Sequence, residues 1–377
     1  MQHQYIVRET GEIVSERLIA DRFIDVLYNR LREQAPALFR ALTSERVSSL
    51  LGFLNFDCTL PGESRRGQAL LSRMGVDEGE CLEPQHGFAT PRQVFERKIR
   101  YWDCRPMDPD PEAVVAPADA KVLIGSLAES PELFVKEKFF SVPELLGEDL
   151  PWHPFFAGGD FAIFRLTPDK YHYNHVPVSG EVIDFYQLDG RYHSCNPRAQ
   201  IALASLHAKN RREVTVIDTD VPGGSNIGLV AMIEVVALMI GDIVQCYSAS
   251  GYDEPQPVTK GMRLDKGCPK SLYRPGSSTD ILLFQRDAVT FCDDLARNRC
   301  RRDVRSRFSL GLGQPLVETD VRVRSTVAWK RPAAADPASP FGPCERSRGE
   351  APGNSRIPAA CRQARPLYSL PQVHALP

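Results

Sequence analysis

The chain has 377 residues, of which 42% are hydrophobic and 25% are charged, and its formal net charge at pH 7 is −2. This composition is that of an ordinary globular protein, and the balanced charge argues against a protein that binds nucleic acid through a basic surface. The ten cysteines show no paired spacing, so we interpret them as free thiols of a reducing compartment rather than as a disulfide framework.

The N-terminal region is predicted to be helical. Apolar residues such as Leu18, Phe23 and Val26 recur at helical spacing over 14–54, with charged residues between them. The pattern predicts two or three amphipathic helices, and nothing before them has the basic and then apolar pattern of a signal peptide. The apolar run 48–54 is interpreted as core packing, with a contact to a membrane surface as the alternative.

The next segment is predicted to join this region to a core of strands. Thr90 and Pro91 begin a capped helix that is predicted to run to about Trp102. Residues 103–117 are rich in proline and aspartate and are predicted to form a linker. From about residue 114 to 290, short apolar runs alternate with turn signals, which predicts a β-rich core. The strand candidates are 122–124, 161–164, 181–185, 214–217 and 281–284.

The remaining segments complete the predicted α+β architecture. The most apolar stretch, 227–244, contains two carboxylates, which are costly inside a bilayer, so a buried core segment is predicted there. A last strand is predicted within 317–327. From Arg331 onward, nine prolines fall within 47 residues without apolar periodicity, which predicts disorder. The predicted parts are a helical region over 1–102, a β-rich core over 103–330 and a disordered tail over 331–377.

A glycine and a run of hydroxyl-bearing residues come just before the strand candidate 281–284. The run reads Gly276-Ser277-Ser278-Thr279. A serine hydroxyl in such a run can attack the glycine carbonyl and turn the amide into an ester, because glycine has no Cβ in the way. β-Elimination then breaks the chain and leaves dehydroalanine, which hydrolyses to a pyruvoyl group. The alternative is an ordinary loop that enters a strand.

Two histidines and an aspartate are candidate partners for this serine. His172 and His175 are three residues apart, a spacing that would place both on one face of a helical turn. A neutral histidine can accept a serine proton near neutral pH. A structural pair is the alternative, and no metal site is predicted because His-Glu-x-x-His and Cys-x-x-Cys patterns are absent from the sequence. Asp119 lies in a turn rich in proline and alanine, where an ordinary turn residue is the alternative.

Together these three segments resemble the phosphatidylserine decarboxylase family. That family shows Pro-x-Asp-Gly, then Leu-x-Pro-x-Asp-Tyr-His-x-x-His-x-Pro, then Gly-Ser-Thr before an apolar strand. The matching segments here, in the same order, are 117–120, 166–177 and 276–284. The chain departs from the pattern at Ala120, which replaces glycine, at Lys170, which replaces aspartate, and by one additional serine after Gly276.

The resemblance implies a role for each candidate residue. His175 would activate Ser277, Asp119 would orient His175, and His172 would protonate the substrate carbon after CO₂ has left. The chain would be cut between Gly276 and Ser277, and Ser277 would become the pyruvoyl group. Counting back from Phe284 instead makes Ser278 the cleavage serine, and this alternative stays open.

The resemblance also implies an activity. The chain would be an enzyme, a carboxy-lyase of phospholipid biosynthesis. It would be made as a self-cleaving zymogen and would convert phosphatidylserine to phosphatidylethanolamine and CO₂ with its self-generated pyruvoyl cofactor. The alternatives are a decarboxylase of a free amino acid and an unprocessed relative that binds lipid. Further expectations are fragments that stay associated after cleavage, a homodimer, and a cytoplasmic location with a peripheral membrane contact. No nucleic-acid partner is expected.

Overall fold

A large mixed sheet organises this chain. In this sheet, a strand from the C-terminal part of the core lies beside a strand from the N-terminus. The computed structural model describes residues 2–18, 21–52, 56, 66–83, 88–128, 140–238, 242–275 and 278–332. The strands are β1 Gln4–Val7, β2 Ile13–Ser15, β3 Ala113–Val115, β4 Ala120–Ser126, β5 Asp160–Leu166, β6 Tyr173–His175, β7 Gly180–Leu188, β8 Arg212–Asp218, β9 Leu229–Val236, β10 Ile243–Gln245, β11 Arg263–Leu264, β12 Pro269–Tyr273, β13 Ser278–Phe284, β14 Val289–Phe291, β15 Thr319–Val321 and β16 Thr326–Lys330.

Ten of these strands form the main sheet, in the order β11-β7-β8-β9-β13-β5-β4-β15-β1-β2. Neighbouring strands are antiparallel except β1 and β15, which run parallel. Two three-stranded sheets, β10-β12-β6 and β14-β16-β3, complete the strand inventory of the described residues. Strand β13 therefore lies inside the main sheet, with β9 on one side and β5 on the other.

The helices are short, and most of them lie between β2 and β3 in the chain. A helical stretch begins with Asp21–Asp25, continues as a π-helix over Val26–Leu31 and ends with Arg32–Gln34. The other α-helices are Pro36–Leu42, Glu45–Gly52, Arg66–Met74, Pro91–Phe95, Tyr101–Cys104, Val142–Leu146, Pro197–Ala202, Leu206–Lys209, Asp293–Arg299 and Arg307–Leu312, and 3₁₀ turns span Glu78–Glu80 and His153–Phe156. Among the residues that the structure describes, none of the helices has the length and apolar character needed to cross a bilayer.

Both faces of the main sheet are covered by apolar side chains. Alternation along β13 sends Leu282 and Phe284 into one buried cluster, whereas Ile281 and Leu283 enter a second cluster on the opposite face. This double burial explains why the sequence of β13 reads as a continuous apolar run rather than as an alternating one. All described residues belong to one compact unit, residues 1–342.

The α+β class and the predicted strands are confirmed. Each of the five candidate runs lies within a strand, namely β4, β5, β7, β8 and β13. The N-terminal helices are also present, but β1 and β2 precede them and were not predicted. The capped helix at Thr90 ends at Phe95 instead of Trp102, although its capping box with Gln93 is formed as expected.

Other expectations need correction. The predicted linker ends in β3, which is fully buried. The buried segment expected within 227–244 is confirmed over the strand β9, which is buried. The last predicted strand, in contrast, is replaced by two strands, β15 and β16. Six described cysteines form no disulfide bond, but Cys300 is disulfide-bonded, so the expectation of free thiols is wrong for that residue. The predicted boundaries at 102/103 and 330/331 stay predictions, and residues 333–377 of the predicted tail lie outside the described part of the chain.

Candidate active site

The two candidate histidines lie on an extended segment, which corrects the helical spacing expected for them. His175 is the last residue of β6, which pairs antiparallel with β12. On an extended chain, residues three apart point to opposite sides. Accordingly, the His172 ring packs against Phe95 with a centroid distance of 4.7 Å, whereas the His175 ring packs edge-on against Tyr101, also at 4.7 Å.

His175 is a fully buried neutral base. Its Nδ1 lies 2.8 Å from the carbonyl oxygen of Gly267 and its Nε2 lies 3.0 Å from the hydroxyl of Tyr171. A carbonyl can only accept a hydrogen bond, so Nδ1 carries the proton and the lone pair is on Nε2. Burial lowers the pKa of His175 to about 3, although the bond to Gly267 acts in the opposite direction. Nε2 is therefore unprotonated at neutral pH, and its lone pair accepts a hydrogen bond from the Tyr171 hydroxyl.

His172 is also buried and neutral, but one of its ring nitrogens has no partner. Its Nδ1 donates to the carbonyl oxygen of Lys170 over 2.8 Å. Its Nε2 has no hydrogen-bond partner among the described residues. Burial, and after it the positive charge of Arg97, lower the pKa of His172 to about 3. A buried polar atom without a partner is uncommon in folded proteins, so packing alone does not explain the position of Nε2.

Asp119 is held by an arginine rather than by a histidine. Its carboxylate accepts hydrogen bonds from Arg105 Nε and Nη2, at 3.0 and 2.8 Å, and from the backbone N–H of Val323 at 2.8 Å. Burial alone would raise the pKa of Asp119, but the hydrogen bonds and charge of Arg105 outweigh it and hold that pKa below its usual value.

Asp119 and His175 are neighbours without a bond between their side chains. The backbone N–H of His175 donates to the carbonyl oxygen of Pro117 over 2.7 Å, which brings the two segments together. The ring of His175 is oriented by Gly267 and Tyr171, not by Asp119. The negative charge of Asp119 nevertheless acts to raise the pKa of His175.

The start of β13 is held in the middle of the main sheet. Ser278 is the first residue of β13 and is buried, opposite Leu166 on β5 and Val236 on β9. Its hydroxyl has no hydrogen-bond partner among the described residues. Gly276 and Ser277, the predicted cleavage pair, lie outside the described residues.

Tyr273 connects the histidine segment to β13, and sequence reasoning missed it. Its backbone N–H donates to the carbonyl oxygen of His172 over 3.0 Å. Its hydroxyl lies 2.7 Å from Asp280 Oδ1 and 3.0 Å from the carbonyl oxygen of Thr279. The sequence offered one signal for this region, since Tyr273 comes shortly before the Gly276 run, but no pattern indicated its partners.

A buried ionic network adjoins the site on the same face of the sheet. Glu234 on β9 accepts from Lys270 Nζ over 2.6 Å, from Asn174 Nδ2 over 3.2 Å and from Ser271 Oγ. Both Glu234 and Lys270 are fully buried. The sequence showed Glu234 only as an interruption of an apolar stretch, because its partner Lys270 lies on a distant strand.

One group of described side chains has ligand atoms close enough together for a metal ion, namely His3, Glu16 and Glu318. Arg165 donates to both carboxylates at distances of 2.6–2.9 Å. His3 Nε2 lies 2.7 Å from Glu318. The guanidinium therefore already occupies the position that a cation would take, and the group is an ion-pair network.

Comparison with known proteins identifies the family. The family model described as phosphatidylserine decarboxylase matches residues 92–307. The chain belongs to the phosphatidylserine decarboxylase family. The matched residues include Asp119, both histidines and both candidate serines, so the resemblance drawn from the three motifs is confirmed.

Curated relatives cover most of this family member. A phosphatidylserine decarboxylase proenzyme of Bordetella petrii is 32% identical over 261 residues, which are 66% of this chain and 87% of the relative. Proenzymes of the same name from Ruminiclostridium cellulolyticum and Fusobacterium nucleatum are 28% and 27% identical and cover 76% and 82% of this chain. These matches cover 89% and 95% of the two relatives. Membership in this family makes the chain a decarboxylase, and thus a carboxy-lyase.

Proposed function

We propose that this chain is a self-processing, pyruvoyl-dependent decarboxylase that converts phosphatidylserine to phosphatidylethanolamine and CO₂. The observation that carries the proposal is a pair of buried neutral histidines, His172 and His175, on a segment that Tyr273 links to β13. The relatives of this chain are named as decarboxylase proenzymes. The names of these relatives favour a phospholipid over a free amino acid as substrate.

In self-cleavage, His175 is proposed to act as the base for the cleavage serine. The chemistry requires a group that accepts the hydroxyl proton while the hydroxyl oxygen attacks the carbonyl of Gly276. A neutral imidazole whose Nδ1 is fixed by Gly267 presents Nε2 for this purpose. The hydroxyl of Tyr171, bonded to Nε2, gives that nitrogen a neighbour through which a proton can pass.

Asp119 is proposed to support this base through its charge. A histidine that accepts a proton becomes a cation, and a buried cation is costly unless a negative charge is near. Asp119 is held in its ionised form by Arg105 and acts on His175 from the adjacent segment. The arrangement differs from a hydrogen-bonded triad, because orientation and charge come from different residues.

The residues near the start of β13 suit a pyruvoyl group made from Ser277, or from Ser278 in the other register. The unpartnered hydroxyl of Ser278 and the unpartnered Nε2 of His172 are buried polar atoms that a packed apolar core would not leave. Such a carbonyl supplies an electron sink for the loss of CO₂. His172, as the resemblance implies, is proposed to take part in the protonation that follows. Its Nδ1–H is committed to Lys170, so any proton it delivers must pass through Nε2.

The N-terminal helices are proposed to contact the membrane that carries the substrate. Phe23, Val26, Leu38 and Leu50 lie on these helices and are 48–57% exposed. Exposed large apolar side chains on neighbouring helices are typical of surfaces that bind lipid. A peripheral location at a membrane follows from this proposal. A homodimer stays a prediction from the resemblance.

The test is the intact mass of the purified protein together with an assay on defined substrates. We expect two fragments, the second beginning with a pyruvoyl group, and decarboxylation of phosphatidylserine vesicles without added pyridoxal phosphate. Ser277→Ala should give a single uncut chain, and Ser278→Ala is the matched control. Cleavage that persists in Ser277→Ala and stops in Ser278→Ala would move the cut by one residue. An uncut wild-type chain, or turnover of free serine alone, would refute the proposal.

A further inference from the structure

The lone pair that the proposed base needs is already engaged by a tyrosine hydroxyl. His175 Nδ1 carries the ring proton and is bonded to Gly267, so Nε2 has a single lone pair for an incoming proton. The Tyr171 hydroxyl lies 3.0 Å from Nε2, and because Nε2 carries no hydrogen, Tyr171 is the donor of this bond. While this bond is formed, a proton can reach Nε2 only by way of the Tyr171 hydroxyl.

A second tyrosine continues the hydrogen-bond chain. The hydroxyls of Tyr171 and Tyr252 lie 2.7 Å apart, and because the one proton of Tyr171 points to His175, Tyr252 is the donor here. The Tyr252 oxygen accepts from the backbone N–H of Ile99 over 3.2 Å. The carbonyl oxygen of Ile99 lies 3.0 Å from the same hydroxyl but already accepts from the backbone of Tyr101. Each group of the chain thus donates to the next, in the direction of His175.

Aromatic rings fix the position of this chain and bury the Tyr171 hydroxyl. Tyr171 is 1% exposed, and its ring stacks on that of Tyr173 with a centroid distance of 5.6 Å. Tyr101 packs edge-on against both His175 and Tyr252, at 4.7 and 5.6 Å. Hydrogen bonds are stronger away from water, and neighbouring bonds of one chain polarise each other. These surroundings favour proton transfer along the chain over exchange with solvent.

Both hydroxyls keep their protons at neutral pH. Burial, and after it Tyr252, raise the pKa of Tyr171 well above its usual value. Burial also raises the pKa of Tyr252, although its bonds to Tyr171 and Ile99 act in the opposite direction. Tyr171 is therefore suited to pass a proton on while it stays neutral, rather than to act as a base itself.

We propose that Tyr171 is the relay through which His175 accepts the proton of the cleavage serine, and that Tyr252 holds Tyr171 in the required orientation. The serine oxygen bonds to the carbonyl carbon of Gly276 as its proton passes to the Tyr171 oxygen, and the Tyr171 proton passes to Nε2 in the same step. Tyr171 is neutral before and after this step, and the positive charge is on His175. When the bond between that carbon and the serine nitrogen breaks, both protons move back, so the nitrogen leaves as a neutral amine. The inference rests on the proposed function.

The test is the rate of self-cleavage in three variants that each lose one hydroxyl, followed on a gel after synthesis of the precursor in a cell-free system. Tyr171→Phe removes the relay and should slow cleavage about 10²–10⁴-fold. Tyr252→Phe removes one hydrogen bond to Tyr171 and should slow cleavage about tenfold. Tyr173→Phe is the matched control, because its hydroxyl lies outside the hydrogen-bond chain, and it should be cut at the wild-type rate.

Two further measurements separate a relay from a structural role. When two protons move in one step, the wild-type rate depends quadratically on the deuterium fraction of the solvent, whereas residual cleavage of Tyr171→Phe should depend on it linearly. In the uncut Ser277→Ala chain, the nitrogen NMR signal of His175 Nε2 should shift when Tyr171→Phe removes its donor. The Nδ1 signal should stay unchanged, because Gly267 still holds the ring.

Each other outcome overturns the inference. The wild-type rate in Tyr171→Phe or in Tyr252→Phe would contradict it, and faster cleavage of Tyr171→Phe would show that this tyrosine blocks the base. Equal slowing by Tyr173→Phe, a linear isotope dependence in the wild type or a shifted Nδ1 signal would reduce the role of Tyr171 to packing.

Two remaining cases are also decided. If Tyr171→Phe does not fold, 3-fluorotyrosine at position 171 keeps the ring and the hydroxyl but lowers the pKa of that hydroxyl, and an unchanged cleavage rate would refute the relay. The proposed function fails in a different way, because the wild type would then be uncut or His175→Ala would be cut normally.

Discussion

Asp119 and Arg105 form a buried ion pair in which each partner has a second contact. Arg105 also donates to Glu80 at 2.8 and 2.9 Å, and Asp119 also accepts from the backbone of Val323. The pair therefore ties the chain near residue 80 to the turn before β4 and to the segment that follows β15. Within this pair, the negative charge of Asp119 is the feature that we connect with self-cleavage.

Asp119→Asn should slow self-cleavage and lower the melting temperature. Asparagine keeps the contact with Val323 but removes the charge that would stabilise a protonated His175. Removal of one partner from a buried ion pair costs about 3–5 kcal/mol, and Glu80 should keep the cost near the lower end. The measurement is a time course of cleavage on a gel, with thermal unfolding alongside. Glu80→Gln, which removes the other partner of Arg105, should cleave at the normal rate. Equal slowing in both variants would show that Arg105, not the Asp119 charge, matters.

His175→Ala and His172→Ala should separate two steps of the reaction. His175→Ala should leave the chain uncut, because Nε2 of His175 is the proposed base. His172→Ala should be cut normally but lose about 10²–10⁴-fold in kcat, the usual effect of removing a positioned acid or base. Gel analysis and the phosphatidylserine assay measure the two steps, and each variant is the control for the other. A fully cut, fully active His175→Ala protein would remove that histidine from the mechanism.

At the scale of elements, apolar strands could be predicted from the sequence, whereas the contacts between residues far apart in the chain could not. Strands β4, β5 and β13 were predictable because each is a compact apolar run bounded by turn signals. The strand β9 was not, since its run was longer and apolar periodicity alone does not distinguish a buried strand from a buried helix. Glu234 is tolerated within the buried strand β9 because its charge is neutralised by Lys270 on β12. No local sequence pattern predicts this ion pair.

The same limit applies to the candidate site. From the sequence alone, the spacing of His172 and His175 fits a helical turn as well as an extended chain. The pairing of β6 with β12 shows that the chain is extended there. The family resemblance supplied the candidate residues. It could not supply Arg105 as the partner of Asp119 or Tyr171 as the partner of His175, because those contacts arise from tertiary packing.

Strand β16 sets where the C-terminal part of the chain can be shortened. It pairs with both β3 and β14, and just after it the backbone N–H of Arg331 donates to the carbonyl oxygen of Ala288 over 2.9 Å. Truncation after Pro332 should therefore preserve cleavage and decarboxylation. Truncation after Ser325, which removes the middle strand of its sheet, should give little soluble protein. Soluble yield, gel analysis and the activity assay test both. Loss of processed protein in the longer variant would show that residues after 332 support the core.

For the whole molecule, buried histidines predict loss of stability in mild acid. Burial lowers the pKa of His172 and His175 to about 3 and of His193 and His207 to about 4, whereas unfolded histidines titrate at about 6.5. The unfolded chain thus binds more protons than the folded chain between these values. Stability is complete above the unfolded pKa and falls as pH decreases below it, by up to about 1.4 kcal/mol per pH unit for each histidine.

Urea unfolding of the uncut Ser277→Ala chain at several pH values measures this dependence. The slope of the unfolding free energy against pH should decrease in His207→Leu, because both ring nitrogens of His207 lack hydrogen-bond partners among the described residues and leucine has no proton to bind. A stability that stays constant from neutral pH to about pH 5 would contradict the burial of these histidines as neutral groups.

Because β13 lies between β9 and β5, the precursor and the cut enzyme should differ in the number of chains that must meet during refolding. A cut just before β13 leaves a strand with seven paired positions on each side as the beginning of a separate polypeptide. The precursor can refold as a single chain, at a rate that does not depend on its concentration. The processed enzyme, once unfolded, must bring two chains together before the sheet can close, so its recovery should fall on dilution. The proposed cut would therefore make the mature enzyme a fold that assembles while β13 is still joined to the preceding strands and that reassembles poorly from its two fragments.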